Sequence, residues 1–153
     1  MLAMPEITMR TATASDIPAL VAMLVDDELG ASRETPDELV PYQAAFARVQ
    51  AATNTQLMVA ELDGEVVGTL TLTVLHGLSR QGASRANVEA VRVAKSLRSK
   101  GIGTQMMQWA VEEAKRQGCR RMQLTSDTRR LDAHRFYTRL GFDASHVGFT
   151  LTL

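Results

Sequence analysis

An alternating apolar stretch runs into a basic, glycine-punctuated turn and out into an amphipathic helix along Val91-Arg92-Val93-Ala94-Lys95-Ser96-Leu97-Arg98-Ser99-Lys100-Gly101-Ile102-Gly103-Thr104. Strand, tight turn and helix in that order place this part of the chain in an α/β layer arrangement. Glycine takes positive φ and lets the backbone approach a ligand, so successive amide N–H groups can converge on an anion. The unsatisfied N–H groups and positive dipole end of the following helix strengthen that field, and Arg98 and Lys100 add mobile positive charge. A diphosphate suits such a turn. The plainer alternative is a strand-to-helix connection whose glycines serve geometry alone.

Two other phosphate motifs fail on spacing. A Walker-type loop needs four residues between its glycines and a Gly-Lys-Ser/Thr end, whereas Lys100 here precedes Gly101. The dinucleotide fingerprint needs a third glycine after Gly101 and Gly103, where this chain has Met106.

Further along, Asp132-Ala133-His134-Arg135-Phe136-Tyr137-Thr138-Arg139-Leu140-Gly141-Phe142 reads as a short helix stopped by Gly141. Arg98-x-x-Gly101-x-Gly103 followed by Ala133-x-x-Phe136-Tyr137-x-x-x-Gly141-Phe142 resembles the GNAT superfamily of acyl-CoA-dependent N-acetyltransferases. The likeness spans nearly the whole chain, because the order of expected elements also agrees.

At 153 residues the chain can bury a sizeable core, and residues 1–153 are expected to form a single domain. Basic and acidic residues balance at 17 each, so no overall field favours nucleic acid or an anionic membrane. No apolar run reaches the roughly 20 residues of a bilayer span. The start Met1-Leu2-Ala3-Met4-Pro5 lacks a signal peptide's basic region and apolar core, so a cytoplasmic location is expected. The sole cysteine, Cys119, cannot form an internal disulfide and reads as a small turn or core residue. No Cys/His cluster has metal-site spacing, and no metal is expected.

Glu6 to Ala12 alternates as a first strand, and Ser15-Asp16 starts a helix with Ile17, Leu20, Val21 and Leu24 on one face, running to about Glu28 and broken by Leu29-Gly30. Pro36-Asp37-Glu38 signals a second helix through about Ala51. Gln56 to Glu61 and Glu65 to Leu75 read as strands of a hairpin turning at Asp63-Gly64. A polar loop from His76 to Ser84 precedes a strand from Asn87 to Val93. The next helix buries Ile102, Met106, Trp109 and Ala110 and ends at Gly118, and a strand follows around Met122 and Leu124. A helix crossing between two strands makes them parallel. Two short terminal strands, around Asp143-Ala144 and from Phe149 to Leu153, complete the expected fold. The whole is an α/β domain with a mixed central sheet of about six to seven strands and flanking helices.

The resemblance implies more. The fourth and fifth strands of such a sheet splay apart, and the pantetheine arm of acetyl-CoA lies in the opening against Val91, Arg92 and Val93. The diphosphate would sit over the amides of Arg98, Ser99, Lys100, Gly101, Ile102, Gly103 and Thr104. Val91 and Val93 serve core packing as well.

An ammonium has no lone pair, so an amine must lose a proton before or as it attacks a thioester, and a carboxylate acting through water can accept that proton. Period-two alternation puts Glu89 on one face with Asn87, Val91 and Val93 in a largely apolar strand, and many family members carry glutamate at the matching place. The alternative is an ordinary solvent-facing glutamate. Tyr137 matches the family tyrosine that protonates the departing thiolate, and a phenol of ordinary pKa keeps its proton at neutral pH. Core packing is the other use for Phe136-Tyr137, and Phe136 is assigned to it. His134 reads as a surface or capping residue, His146 as a residue near the acceptor pocket and His76 as loop.

Two positions depart from the common pattern. Lys95 stands where a proline usually follows the fourth strand, and Arg130 stands where an asparagine often holds pantetheine. Arg129 and Arg130 could instead pair with cofactor phosphate or an acidic surface. Between the first two helices, Asp26, Asp27 and Glu28 either attract a cationic amine or form a solvated helix end. The expected activity is direct acetyl transfer from acetyl-CoA to a primary amine of a small molecule or peptide. A non-catalytic acyl-CoA-binding sensor or interaction module is the alternative. Exposed sheet edges leave a homodimer open.

Overall fold

Residues 3–153 are described by the structure, a computed structural model. The chain divides into two compact units, the first ending at Gln123 and the second formed by Leu124–Leu153. In the first unit a sheet runs in the order β1 (Thr8–Thr11), β2 (Thr55–Leu62), β3 (Glu65–Leu75), β4 (Arg85–Val93) and β5 (Arg121–Gln123). β1 to β4 are antiparallel, and β4 pairs parallel with β5, as the intervening helix requires. Asp63 and Gly64, at φ 51° and 81°, make the expected turn between β2 and β3.

Helix α1 (Ile17–Val25) follows a 3-10 turn at Ala14–Asp16. The turn is held by Asp16, whose Oδ2 accepts from the Thr13 N–H at 2.7 Å while Arg10 grips both carboxylate oxygens at 2.8 and 2.9 Å. Ile17, Leu20, Val21 and Met23 of α1 pack with Phe46 and Val59 on one face of the sheet. α2 (Glu28–Ala31) and α3 (Val40–Ala51) follow α1, and α4 (Ile102–Arg116) crosses from β4 to β5. α4 buries Ile102, Met106, Met107 and Ala110, and leaves Trp109 half-buried. Each fully buried Leu, Met or Val of these two cores contributes about 1.5–3 kcal/mol of transfer free energy. In the second unit, α5 (Leu131–Arg139) closes with Gly141 at φ 97°. Gly141 N–H donates to the Thr138 carbonyl and Phe142 N–H to the Tyr137 carbonyl, the paired bonds of a glycine helix stop.

Four expectations are corrected. The sheet has five strands, not six to seven: residues 143–153 form none, and Val147, Phe149, Leu151 and Leu153 stay exposed. Alternation supplies strand propensity, but a strand also needs an edge to pair with. Leu29-Gly30 lies inside α2 rather than breaking α1, which ends at Val25. Gly30 is required there, since a Cβ would stand 1.8 Å from the Leu24 carbonyl oxygen. α3 starts at Val40 with Pro41 in its first turn, four residues beyond the Pro36 signal. β4 starts at Arg85 and β5 ends at Gln123, each about two residues earlier than alternation indicates. No helix among the described residues is long and apolar enough to cross a membrane.

Candidate active site

β4 is interrupted where chemistry was expected. Thr71 faces Glu89 and Thr69 faces Arg92, so Ala90 and Val91 together oppose the single residue Leu70. Ala90 takes φ 51°, a left-handed state uncommon for a side-chain-bearing residue and diagnostic of this bulge. The extra residue shifts the alternation. Directly opposed residues share a face, so Asn87, Glu89 and Arg92 lie with Thr69, Thr71 and Thr73, while Val93 lies with Gly68 on the opposite face. The expected grouping of Glu89 with Val91 and Val93 is therefore overturned. Glu89 is exposed, and its Oε1 accepts from Asn87 Nδ2 at 2.8 Å.

Pairing between β4 and β5 stops at Asn87 and Gln123, while β4 continues to Val93. One edge of Val88–Val93 is thus left without a β5 partner. A 3-10 turn at Lys95–Leu97 follows, then Ser99 at φ 64° and Gly101 at φ 83°, which serves as N-cap of α4. Left-handed residues two apart curl successive N–H groups inward, and glycine is the residue that holds the second without strain. No side chain caps α4, which leaves its first-turn donors available to an anion.

The basic side chains divide their work. Arg98 donates from Nη2 to the Asp26 carbonyl at 2.9 Å and from Nε to the Val93 carbonyl at 3.3 Å, with Asp26 Oδ2 at 3.9 Å, so it braces the turn rather than standing as mobile charge. Among the described residues Lys95 and Lys100 make no ion pair, and both are exposed. Arg92 Nε stands 3.3 Å from Asp27 Oδ2, and Asp27 Oδ1 accepts from the Leu29 and Gly30 N–H groups at 2.8 and 2.7 Å. Asp26 and Asp27 therefore tie the α1–α2 junction to β4 and its turn, a role that neither sequence reading of this acidic run included, and Glu28 is exposed. A cleft of about 470 Å³ opens between junction and turn, lined among others by Asp26, Glu28, Lys95 and Arg98. The bulge at Ala90 and the Asp26–Asp27 tether were missed in the sequence. The bulge's one local sign is a small, weak strand former in a Val-rich run, and the tether has no local sign.

In the second unit, Tyr137 is half-buried in α5, its ring edge-on to Phe136 at 5.1 Å and to Phe142 at 5.8 Å between centroids. Packing on both sides fixes the ring. His134 Nε2 bonds the Asp127 carbonyl at 2.8 Å, in keeping with a structural role. Arg129 grips both Asp127 oxygens at 2.9 and 2.8 Å and holds that carboxyl well below the usual range. That engagement removes Arg129 as a ready phosphate partner. His146 is exposed and bonds Ser145 Oγ at 2.7 Å, and His76 bonds Ser84 Oγ at 2.8 Å. Burial pushes the Cys119 thiol up, which suits an inert residue.

These features fit coenzyme A: an unpaired strand edge for an amide-bearing arm, then uncapped donors and two free lysines for a diphosphate. The comparisons agree. The family model described as acetyltransferase (GNAT) family matches residues 19–142. An aminoalkylphosphonate N-acetyltransferase of Salmonella typhimurium is 32% identical over 98% of this chain and 94% of its own length. A solved structure titled as a transcriptional regulator from Bacillus halodurans superposes with TM-score 0.93 at 43% identity, over 97% of this chain and all of that one. An aminoglycoside N-acetyltransferase solved in complex with CoA shares the fold, with TM-score 0.78 at 15% identity over 97% of this chain and 95% of that one.

Proposed function

The chain belongs to the acetyltransferase (GNAT) family and is an N-acetyltransferase; we propose that it carries the acetyl group of acetyl-CoA directly onto a primary amine of a small molecule or peptide. Acetyl-CoA supplies an acetyl group activated as a thioester. The chain's own residues hold, orient and move protons. The open edge of Val88–Val93 running into the uncapped start of α4 is the observation that carries this reading. Main-chain groups of Val91, Arg92 and Val93 take the amide-bearing arm, and the N–H groups from Arg98 to Thr104 take the diphosphate.

Glu89 accepts the amine proton through a water. Its exposure and its bond from Asn87 support a carboxylate open to a solvent relay, in a setting different from the apolar strand face that alternation implied. Tyr137 donates its phenolic proton to the departing sulfur. The family match runs from residue 19 to 142, across both units, which supports reading residues 1–153 as one catalytic domain. The Salmonella relative's name supports a small amine as acceptor, so aminoalkylphosphonates are the first to try.

Free-thiol release from acetyl-CoA with a panel of amines tests the reading, using wild type, Glu89→Gln and Tyr137→Phe. General acid–base groups contribute roughly 100- to 10,000-fold, so each variant should lose at least about 100-fold in kcat. Full turnover by Tyr137→Phe removes the acid, and an unchanged rate at every pH in Glu89→Gln removes the base. Saturable acetyl-CoA binding without thiol release for any amine would leave the sensor alternative. The Bacillus relative's name, a transcriptional regulator, makes DNA binding the companion assay, and the balanced charge leads us to expect no saturable binding at physiological salt.

A further inference from the structure

We propose that the cleft at the start of β4 is a second anion site, built for a small molecule bearing a phosphate group and separate from the acetyl-CoA site. The β4–β5 register sets Arg85 beside Arg121, so two guanidinium-bearing side chains leave neighbouring strands on one face. Like charges side by side across a sheet oppose folding unless something answers them. Arg80 and Arg120 line the same cleft of about 250 Å³ with Ser79 and Ser84. None of the four arginines is ion-paired among the described residues, and no carboxylate lines the cleft. In a chain whose charges balance at 17 against 17, this is a local concentration of unanswered cations.

Arg121 Nε is buried and has no hydrogen-bond partner among the described residues. Buried donors are nearly always satisfied, so this one leaves Arg121 with bonding capacity that the fold does not use. The planar guanidinium fork matches phosphate oxygens two at a time. The loop is held in place for this. Arg80, Gln81 and Gly82 take three consecutive left-handed conformations (φ 55°, 61° and 75°), and Arg120 N–H donates to the Ser84 carbonyl at 3.0 Å. Pockets for drug-sized ligands start near roughly 300 Å³, so the volume suits a small anion. β4 separates the two sites: Arg85 opens the strand and the diphosphate turn follows Val93, roughly 26 Å away at about 3.3 Å per residue.

The test follows backbone amide NMR signals of the full chain during titration with inorganic phosphate and, separately, glycerol 3-phosphate, with ionic strength held constant by NaCl. Saturable shifts at Ser84, Arg85, Arg120 and Arg121 are expected for at least one probe. Stronger binding of the ester assigns a phosphorylated metabolite, and equal binding assigns the free ion. Arg80→Gln/Arg120→Gln should weaken binding at least tenfold; both side chains are exposed, and Arg120→Gln alone should give a smaller loss. Shifts that never saturate, that fall only at 98–104, or that persist unchanged in the variants overturn the proposal. So does saturable binding of single-stranded RNA with no response to either small probe.

Discussion

Ala90 decides which way Glu89 faces. At φ 51° it holds a conformation that costs an L-residue about 1–2 kcal/mol, and the cost is tolerated because the bulge lets β4 leave β5 while keeping its ladder with β3. Ala90→Gly removes that cost and adds glycine's entropy, so stability should stay within about 1 kcal/mol of wild type and thiol release should persist. Ala90→Val puts a branched Cβ where φ is positive, and should cost about 2 kcal/mol or more. Straightening the bulge would also slip the register and send Glu89 to the α4 face, so turnover should fall further than stability explains. Urea unfolding and thiol release read both effects, and wild-type values for Ala90→Val would remove the argument. Within Asn87–Val93 the bulge's sole sign is Ala90, a faint one, because the bulge is set by which β3 residues come opposite. Asp63-Gly64 and Gly141 were legible for the opposite reason: each turn needs positive φ at those very residues.

The α1–α2 junction is tied to β4. Asp27 does two jobs, capping α2 and pairing with Arg92 across 65 positions of sequence, and the second was invisible in a run that reads as three adjacent acids. Asp27→Asn keeps a good cap and loses the charge, while Asp27→Ala loses both. Asp27→Asn should cost about 2 kcal/mol, between the worth of an exposed ion pair and the cost of breaking a buried one. Asp27→Ala should cost about 1 kcal/mol more, the usual worth of a cap. Equal losses in chemical denaturation would mean the cap contributes nothing. The strand–turn–helix run was legible because its chemistry is contiguous. The extra terminal strands were misread because Phe149 to Leu153 has the alternation of a strand, and alternation alone names no pairing partner.

Acid should loosen the first unit through one carboxylate more than any other. Arg10 and the Thr13 N–H bind Asp16 so closely that its pKa is lowered from 3.8 to about 2. Glu113, held by Arg116, Gln117 and Gln56, is likewise lowered to about 2, but its main partner is largely exposed, and solvent screening reduces its share. For Asp16, the unfolded chain binds the proton more readily than the folded one between those two values, so stability rises with pH across that interval. The contribution is fully present above about pH 4 to 5, and is lost as pH falls through 2. At 1.36 kcal/mol per unit the shift amounts to about 2 kcal/mol. Asp16→Asn keeps an acceptor for Thr13 but cannot ionise. Urea unfolding from pH 7 to pH 2 should therefore show wild type more stable by about 2 kcal/mol at neutral pH, with the gap constant to about pH 5 and nearly closed at pH 2. Parallel curves over the whole range would mean that the Arg10–Asp16 pair does not link β1 to the start of α1 energetically, however short its hydrogen bonds.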